Sequence, residues 1–187
     1  MTLNGVGNGT KIENIYILES ADDAIEFFGG TVNVTNLLAV NPDDDMFDFT
    51  QGYSGTLKNC YGVWENGYTS TEADPRGIEA DGNLDGDYSD HLRQSDFTVE
   101  NMTIVNNAAN TTDNVDRMQD VIKIRRGAKA TITNALVKGS GGTIDLIDMN
   151  DSKGAGSAAS SISITHTLSF KNKLNGTLNT FTEPTTN

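Results

Sequence analysis

A short pattern recurs along this chain and restricts the folds that it can adopt. An apolar residue, a variable residue, Asn and a further apolar or small residue follow one another six times, with His166 replacing Asn in the last copy. The copies are Ile12–Ile15, Val34–Leu37, Leu57–Cys60, Val99–Met102, Ile132–Ala135 and Ile164–Thr167. The third residue of each copy lies 22, 23, 42, 33 and 32 residues after the one before it. Repeats of this length are typical of solenoids, in which each repeat forms one coil.

A second pattern precedes five of these six copies and alternates apolar with mostly charged residues. Its copies are Ala24–Phe27, Met46–Phe49, Gly77–Ala80, Val121–Ile124 and Thr143–Leu146. Alternation with a period of two predicts a β-strand that is buried on one face only. Strands of successive coils would pair in parallel about 4.8 Å apart. The sequence therefore predicts an all-β protein, a right-handed parallel β-helix (solenoid) of about six coils, its handedness following from the crossover rule.

The recurring Asn residues lie where each coil is expected to bend. Side chains at equivalent positions of stacked coils form columns, and stacked Asn amides can bond to one another. We therefore predict an Asn ladder formed by Asn14, Asn36, Asn59, Asn101 and Asn134. The alternative is that they are ordinary turn formers. Cys60 follows the third Asn, where the other copies have apolar residues, and is predicted to fill the core.

Charge and hydropathy exclude two classes of function. The chain of 187 residues has a formal net charge of -13, which disfavours binding to nucleic acid because phosphates would be repelled. No segment approaches the roughly 20 apolar residues that a membrane-spanning helix requires. We interpret residues 1–187 as a single β-helix domain, part of a longer solenoid or assembly, with a C-terminal tail at 171–187.

Four insertions lengthen individual coils beyond the basic repeat. They occupy roughly residues 64–75, 82–96, 106–119 and 148–160 and lie on both sides of the charged strands. Loops on a rigid scaffold commonly carry binding sites. The insertions could therefore form the walls of a groove over the charged sheet, or they could be solvated loops without a binding role.

The charged faces of the second pattern provide candidate ligand-binding residues. Stacking predicts one outward column of Glu26, Asp48, Glu79, Lys123 and Asp145, and a neighbouring column that contains Asp81 and Arg125. If the protein is an enzyme, the catalytic candidates are Glu26, Asp48, Glu79, Lys123 and Arg125. Carboxylate separations on stacked coils would suit a glycosidase, but the fold produces such separations by itself.

Near the first two charged strands, the acidic residues have no basic neighbour in the predicted columns. Repulsion between adjacent carboxylates would be relieved by a hard cation such as Ca²⁺, which prefers six to eight oxygen ligands. The candidate metal ligands are Asp23, Asp45, Glu26 and Asp48. The alternative is that these side chains extend into water and are screened there.

Residues 5–55 carry a resemblance to a known family. The segments that carry it are Gly5–Thr10, Asp22–Asn33, Asp43–Phe49 and Gln51–Gly55. They resemble exported right-handed parallel β-helix proteins of Bacteroidetes and related bacteria, in the pectin-lyase-like superfamily, many of them surface lipoproteins. The resemblance implies export and an extracellular or cell-surface location. It also leads us to expect further coils before Gly5.

These observations favour a non-catalytic extracellular or cell-surface module that binds glycans, mediates adhesion or takes part in structural assembly. One alternative is a polysaccharide lyase or glycoside hydrolase that acts over the charged sheet. Another is a repeating subunit of an extracellular fibre, because open solenoid ends present strand edges that favour end-to-end stacking. The expected partners are a polysaccharide or surface glycan, or copies of the chain itself, with Ca²⁺ as the expected cofactor.

Overall fold

The computed structural model describes residues 1–83, 93–108, 118–139, 141, 143–149, 160–165, 168–169 and 174–175. Its strands are β1 Thr2–Asn4, β2 Lys11–Leu18, β3 Ile25–Phe28, β4 Asn33–Val40, β5 Phe47–Thr50, β6 Thr56–Trp64, β7 Ile78–Asp81, β8 Asp96–Asn106, β9 Met118–Arg125, β10 Lys129–Lys138, β11 Thr143–Asp148, β12 Ser161–Thr165, β13 Leu168–Ser169 and β14 Leu174–Asn175. Within these residues, no helix is long and apolar enough to cross a membrane.

Strands β1 to β12 alternate in chain order between two parallel sheets. Sheet A has the order β1-β3-β5-β7-β9-β11-β14, and sheet B has the order β2-β4-β6-β8-β10-β12, with β13 also pairing with β10. Each pair of strands therefore completes one coil, and β14 begins a seventh turn after six coils in the described part of the chain. The predicted parallel β-helix is confirmed. Strand β14 lies within the predicted tail 171–187, whose other residues are outside the described part.

Inward side chains of both sheets form one continuous core. At the centre of the core lies an aromatic stack, in which the rings of Phe27 and Phe49 are 5.3 Å apart and those of Phe49 and Phe97 4.0 Å apart. Tyr53 packs 4.3 Å from Phe27, and its hydroxyl donates a hydrogen bond to the Val32 carbonyl at 2.8 Å. Cys60 is buried as predicted, and burial raises the pKa of its thiol to about 12.

The Asn residues form the predicted ladder along sheet B. Each amide nitrogen donates to the oxygen of the Asn one coil earlier, at 2.8 Å from Asn36 to Asn14 and 3.0 Å from Asn59 to Asn36, and the ladder continues through Asn101 and Asn134. All five residues have a positive φ of 54–59°. This left-handed conformation bends the strand and interrupts the alternation of inward and outward side chains. Ile12 and Ile15 therefore both face the core, although they are three residues apart rather than two.

We expect Asn36 to contribute to stability through both its conformation and its amide. Asn36→Gly keeps the left-handed backbone but removes both ladder hydrogen bonds, and should cost about 1–2 kcal/mol. Asn36→Ala should cost about a further 1–2 kcal/mol, because a Cβ disfavours this conformation and Ala has no polar side chain to offset it. Urea unfolding of the two variants measures the difference. If the two variants lose the same free energy of unfolding, the left-handed backbone conformation does not contribute to the requirement for Asn at this position.

The first coil is less buried than the coils that follow it. Ile12, Ile15 and Ile17 are only partly buried, whereas Val34, one coil later, is fully buried. Strands β1 and β2 are the outer strands of their sheets, with a pairing partner on one side only in the described part. End-to-end contact with another coil or another copy stays a prediction.

Candidate carboxylate and cation site

The outward face of sheet A carries a column of charged residues, four of which the sequence predicted. Glu26 pairs with Asp48, Asp48 with Glu79 and Glu79 with Lys123 in successive strands. The next member is Asp148, which pairs with Lys123. The outer column is therefore Glu26, Asp48, Glu79, Lys123 and Asp148.

The predicted place of Asp145 in the outer column is wrong by three residues. Residues 143–146 and 146–149 have related patterns, and the structure aligns the second with β9, so that Ile147 pairs with Ile122 on the inward face. This register brings Asp148 Oδ2 within 2.6 Å of Lys123 Nζ, an ion pair that the predicted register would not form. Asp145 instead pairs with Asp120.

A second charged column runs along one side of sheet A, just before β3, β5 and β7 and within β9 and β11. Its members each lie two residues before an inward strand residue, and the corner column consists of Asp23, Asp45, Arg76, Asp120 and Asp145. Side-chain oxygens cap the next coil here. Asp23 Oδ1 accepts a hydrogen bond from the Asp45 amide at 3.0 Å, and Asp45 Oδ1 accepts one from the Arg76 amide at 2.7 Å.

From β7 onward, basic side chains compensate the carboxylates of both columns. Arg76 Nε lies 3.3 Å from Asp120, and its guanidinium also contacts Glu79 and Asp74. Arg125 binds Glu79 and lies 2.7 Å from Asp81, which Arg126 contacts at 2.9 Å. The carboxylates of Asp120, Asp145 and Asp148 also come within 4.8 Å of one another. Because Arg76 and Lys123 bind this trio, we interpret it as part of an ion-pair network.

The equivalent region of β3 and β5 has no basic residue in either column, although the charge of Arg76 in the next coil lowers the pKa of Asp45. Oxygen atoms of Asp23, Asp45 and Asp48, which we call the Asp48 cluster, lie within 4.8 Å of one another. Among the described residues, Asp48 has no ion-pair partner, and its Oδ1 atom is buried without a hydrogen-bond donor. Three of the four predicted metal ligands are thus brought together. Glu26, the fourth, belongs to none of the carboxylate trios found in the described part.

Burial and mutual repulsion oppose ionisation of this cluster. Burial, together with repulsion from the carboxylates of Asp44 and Glu26, raises the pKa of Asp23 to about 8, although the hydrogen bond from the Asp45 amide lowers it. The pKa values of Asp45 and Asp48 are also raised well above the ordinary range, first by burial and then by Glu79. Burial therefore favours the protonated forms of these carboxyl groups in the free protein. A cation would displace those protons and supply the missing positive charge.

A second trio shares Asp23 with the Asp48 cluster. Asp22, Asp23 and Asp44 also lie with oxygens within 4.8 Å of one another, and burial raises the pKa of Asp44 to about 7. Glu26 lies beside these groups in the outer column, and its pKa is raised by burial and by Asp22. The acidic surface therefore extends over both coils.

The first predicted insertion packs beside the acidic surface. The Thr71 amide donates to Asp43 Oδ1 at 2.7 Å, and the Tyr68 hydroxyl donates to the Pro42 carbonyl at 2.9 Å. Trp64 binds the same carbonyl through its indole nitrogen at 3.0 Å and is fully buried. Most of residues 82–96, 106–119 and 148–160 lies outside the described residues, so the other groove walls stay a prediction.

Sequence reasoning missed Arg76, the basic residue at the centre of this arrangement. It lies in the corner column next to Asp45, directly before a predicted strand, and it is buried. The signal was present: a single Arg interrupts a column that is otherwise acidic. The column could be recognised only when the register of the insertion before β7 was known.

Comparison with known proteins agrees with the fold. A family model for a pectate-lyase like β-helix domain matches residues 1–186. The chain belongs to this family. The pectate-lyase like β-helix domain therefore covers essentially the whole sequence. No curated protein and no solved structure gave a significant match.

Proposed function

We propose that this β-helix is a non-catalytic extracellular module that binds an acidic glycan through a divalent cation held by the Asp48 cluster. The observation that carries the proposal is the cluster itself. Three carboxylates converge within 4.8 Å, and the buried Asp48 Oδ1 atom has no donor among the described residues. Ca²⁺ is the expected cation, because it favours carboxylate oxygens and tolerates irregular geometry.

A comparison between the coils of this protein also supports a bound cation. In the β7 to β11 coils, the two charged columns contain Arg76 and Lys123, which bind the surrounding carboxylates. In the β3 and β5 coils, the equivalent positions are Asp23, Asp45, Glu26 and Asp48. In the later coils, the chain itself supplies positive charge to these columns. In the β3 and β5 coils, we expect a bound cation to supply it.

An acidic glycan is the class of ligand that completes such a site. Three carboxylates cannot provide all six to eight oxygens that Ca²⁺ prefers unless each binds through both oxygens, and a sugar carboxylate with its hydroxyl groups can provide the rest. A cation held by the Asp48 cluster also offsets, at the point of contact, part of the repulsion that a chain of net charge -13 would exert on an acidic polymer. The family resemblance implies an extracellular location, which suits Ca²⁺-dependent binding of a glycan.

The ion pairs favour binding over catalysis. Lys123 and Arg125 were the basic candidates for a lyase, but Lys123 is held by Asp148 and Arg125 by Asp81 and Glu79. A basic group fixed by carboxylates is poorly placed to accept a proton from a sugar. We therefore assign these residues to the support of the sheet.

Binding of pectate (polygalacturonate) and alginate to the purified protein tests the proposal. We expect affinity electrophoresis to show retardation by at least one of these acidic polysaccharides in 1 mM Ca²⁺ but not in EDTA. Asp48→Asn should abolish the retardation, whereas Glu13→Gln on sheet B should not. Absorbance of unsaturated products and a reducing-end assay are run on the same mixtures.

Retardation in EDTA, or none under either condition, would contradict the proposed cation-dependent binding. Accumulation of unsaturated sugars with wild type but not with Asp48→Asn would show that the protein is a lyase. Accumulation of new reducing ends without unsaturation, again only with wild type, would show that it is a hydrolase.

A further inference from the structure

Sheet B carries an exposed aromatic column on the face that points away from the core. Tyr16 pairs with Leu38 and Leu38 with Tyr61, so the three side chains stack on successive coils, which we call the Tyr16–Tyr61 stripe. Tyr16, Leu38 and Tyr61 are 60%, 38% and 40% exposed. The two rings stand two coils apart, about 10 Å by the usual strand spacing.

An exposed amide column runs beside this stripe. The ladder residues Asn14, Asn36 and Asn59 each lie two positions before a stripe residue and are exposed. Each amide carries two N–H donors, and the ladder uses one of those on Asn36 and one of those on Asn59. Polar donors and acceptors therefore line one side of an apolar surface along its length.

The stripe and the amide column carry no charge, although the chain has a net charge of -13. Glu13 and Lys58, which directly precede Asn14 and Asn59, form ion pairs with Lys11 at 3.0 Å and Glu100 at 2.9 Å. An uncharged surface without a cation site favours an uncharged ligand. Aromatic faces combined with adjacent amides favour a ligand with both apolar faces and hydroxyl groups.

We propose that the Tyr16–Tyr61 stripe is a second glycan site, selective for a neutral, extended, β-1,4-linked hexose chain lying along the solenoid axis. In such a chain, every second ring presents the same face, so two rings of one oligosaccharide can stack on tyrosines that are two coils apart. The hydroxyl groups at the edges of the rings then lie along the ladder amides. This site is independent of the cation-dependent site proposed for sheet A.

The dimensions of the stripe favour a single chain over a protein partner. Three coils span about 10 Å between the first and third strands, so the stripe covers on the order of 100–200 Å². A specific protein interface buries about 800 Å² on each partner. A narrow polymer fits the stripe, whereas a protein would have to cover a much larger area.

Titration with neutral oligosaccharides in EDTA tests this site without involving sheet A. Cellohexaose and β-1,4-mannohexaose are added to the ¹⁵N-labelled protein, and chemical shifts of the Asn side-chain amides are followed. We expect saturable shifts confined to the ladder and its neighbours for at least one of the two hexaoses. Tyr61→Phe should keep the affinity within about twofold, and Tyr61→Leu, which preserves an apolar side chain but no ring, should weaken it about tenfold.

Three other results would contradict the proposed neutral-glycan site. Absence of saturation by both hexaoses, or equal affinities of Tyr61→Leu and wild type, would rule out ring stacking. Concentration-dependent dimerisation in sedimentation that Tyr61→Leu abolishes would assign the stripe to protein contact instead. Because every measurement is made in EDTA, failure here leaves acidic-glycan binding on sheet A unaffected, and the reverse also holds.

Discussion

Replacing Asp48 by Asn should stabilise the protein in EDTA and remove its response to Ca²⁺. In the wild type, 1 mM Ca²⁺ acting on a site with a Kd of about 10 μM would add about 2.7 kcal/mol. For a chain of this size, that gain raises the Tm by about 5–10 °C. The variant loses a ligand and also loses a buried carboxylate that its neighbours repel, so its Tm in EDTA should exceed that of the wild type.

Asp148→Asn is the matched control, because Asp148 lies in the same outer column. Its carboxylate binds Lys123 at 2.6 Å, so removing its charge leaves a buried ammonium group without that partner. This variant should be less stable than the wild type in EDTA and in Ca²⁺, and it should keep the Ca²⁺ response. Identical wild-type melting curves in EDTA and Ca²⁺ would show that the Asp48 cluster holds no cation.

The pH dependence of the Tm tests the raised pKa of Asp23 independently. The folded protein raises the pKa of Asp23 from 3.8 to about 8, so the stability that its protonated form contributes is present below pH 3.8 and is lost as the pH rises through about 8. In EDTA, the Tm should therefore fall between pH 5 and pH 8. Ca²⁺ should reduce this fall, and its binding should release protons that calorimetry in two buffers detects. A Tm that is constant or rises over this range in EDTA would contradict the assigned protonation.

Loss of the Arg76 side-chain charge should be among the most destabilising single changes in the described part of the fold. Arg76→Met retains much of the apolar stem and the backbone N–H that binds Asp45, but it removes the guanidinium between Glu79 and Asp120. Breaking a buried ion pair in this way costs about 3–5 kcal/mol, because the remaining carboxylates are left buried without compensation. Urea unfolding at pH 7.5 measures the loss.

The control for this variant is Lys58→Met, which breaks the exposed ion pair with Glu100. Exposed pairs contribute about 0–1 kcal/mol, so this change should be nearly neutral. The loss caused by Arg76→Met should also become smaller as the pH falls from 7.5 through about 6, because burial raises the pKa of Asp120 to about 6 and raises that of Glu79 above its ordinary value. A loss below about 1 kcal/mol at pH 7.5 would mean that water, rather than Arg76, compensates these carboxylates.

The sequence determined the coil and the ladder, since both depend on local patterns that repeat. The left-handed bend at each Asn, from Asn14 to Asn134, requires a residue that tolerates positive φ and whose amide can bond to its equivalents. Period-two alternation likewise placed Glu26, Asp48, Glu79 and Lys123 in one column. These features follow from residues within a few positions of one another, so the chain could be interpreted without knowledge of its tertiary contacts.

Tertiary structure decided which charges meet, because insertions of unequal length separate the coils and alternation fits more than one register. Two similar segments three residues apart competed for the place beside β9, and the ion pair between Lys123 and Asp148 identifies the register that the fold adopts. Arg76 follows a long insertion, so only the folded coil shows that it lies between Asp45 and Asp120. Similarly, Tyr53 and Trp64 are in the core while Tyr16 and Tyr61 are exposed, because the position of each residue in its coil, rather than residue type, sets whether its side chain points inward.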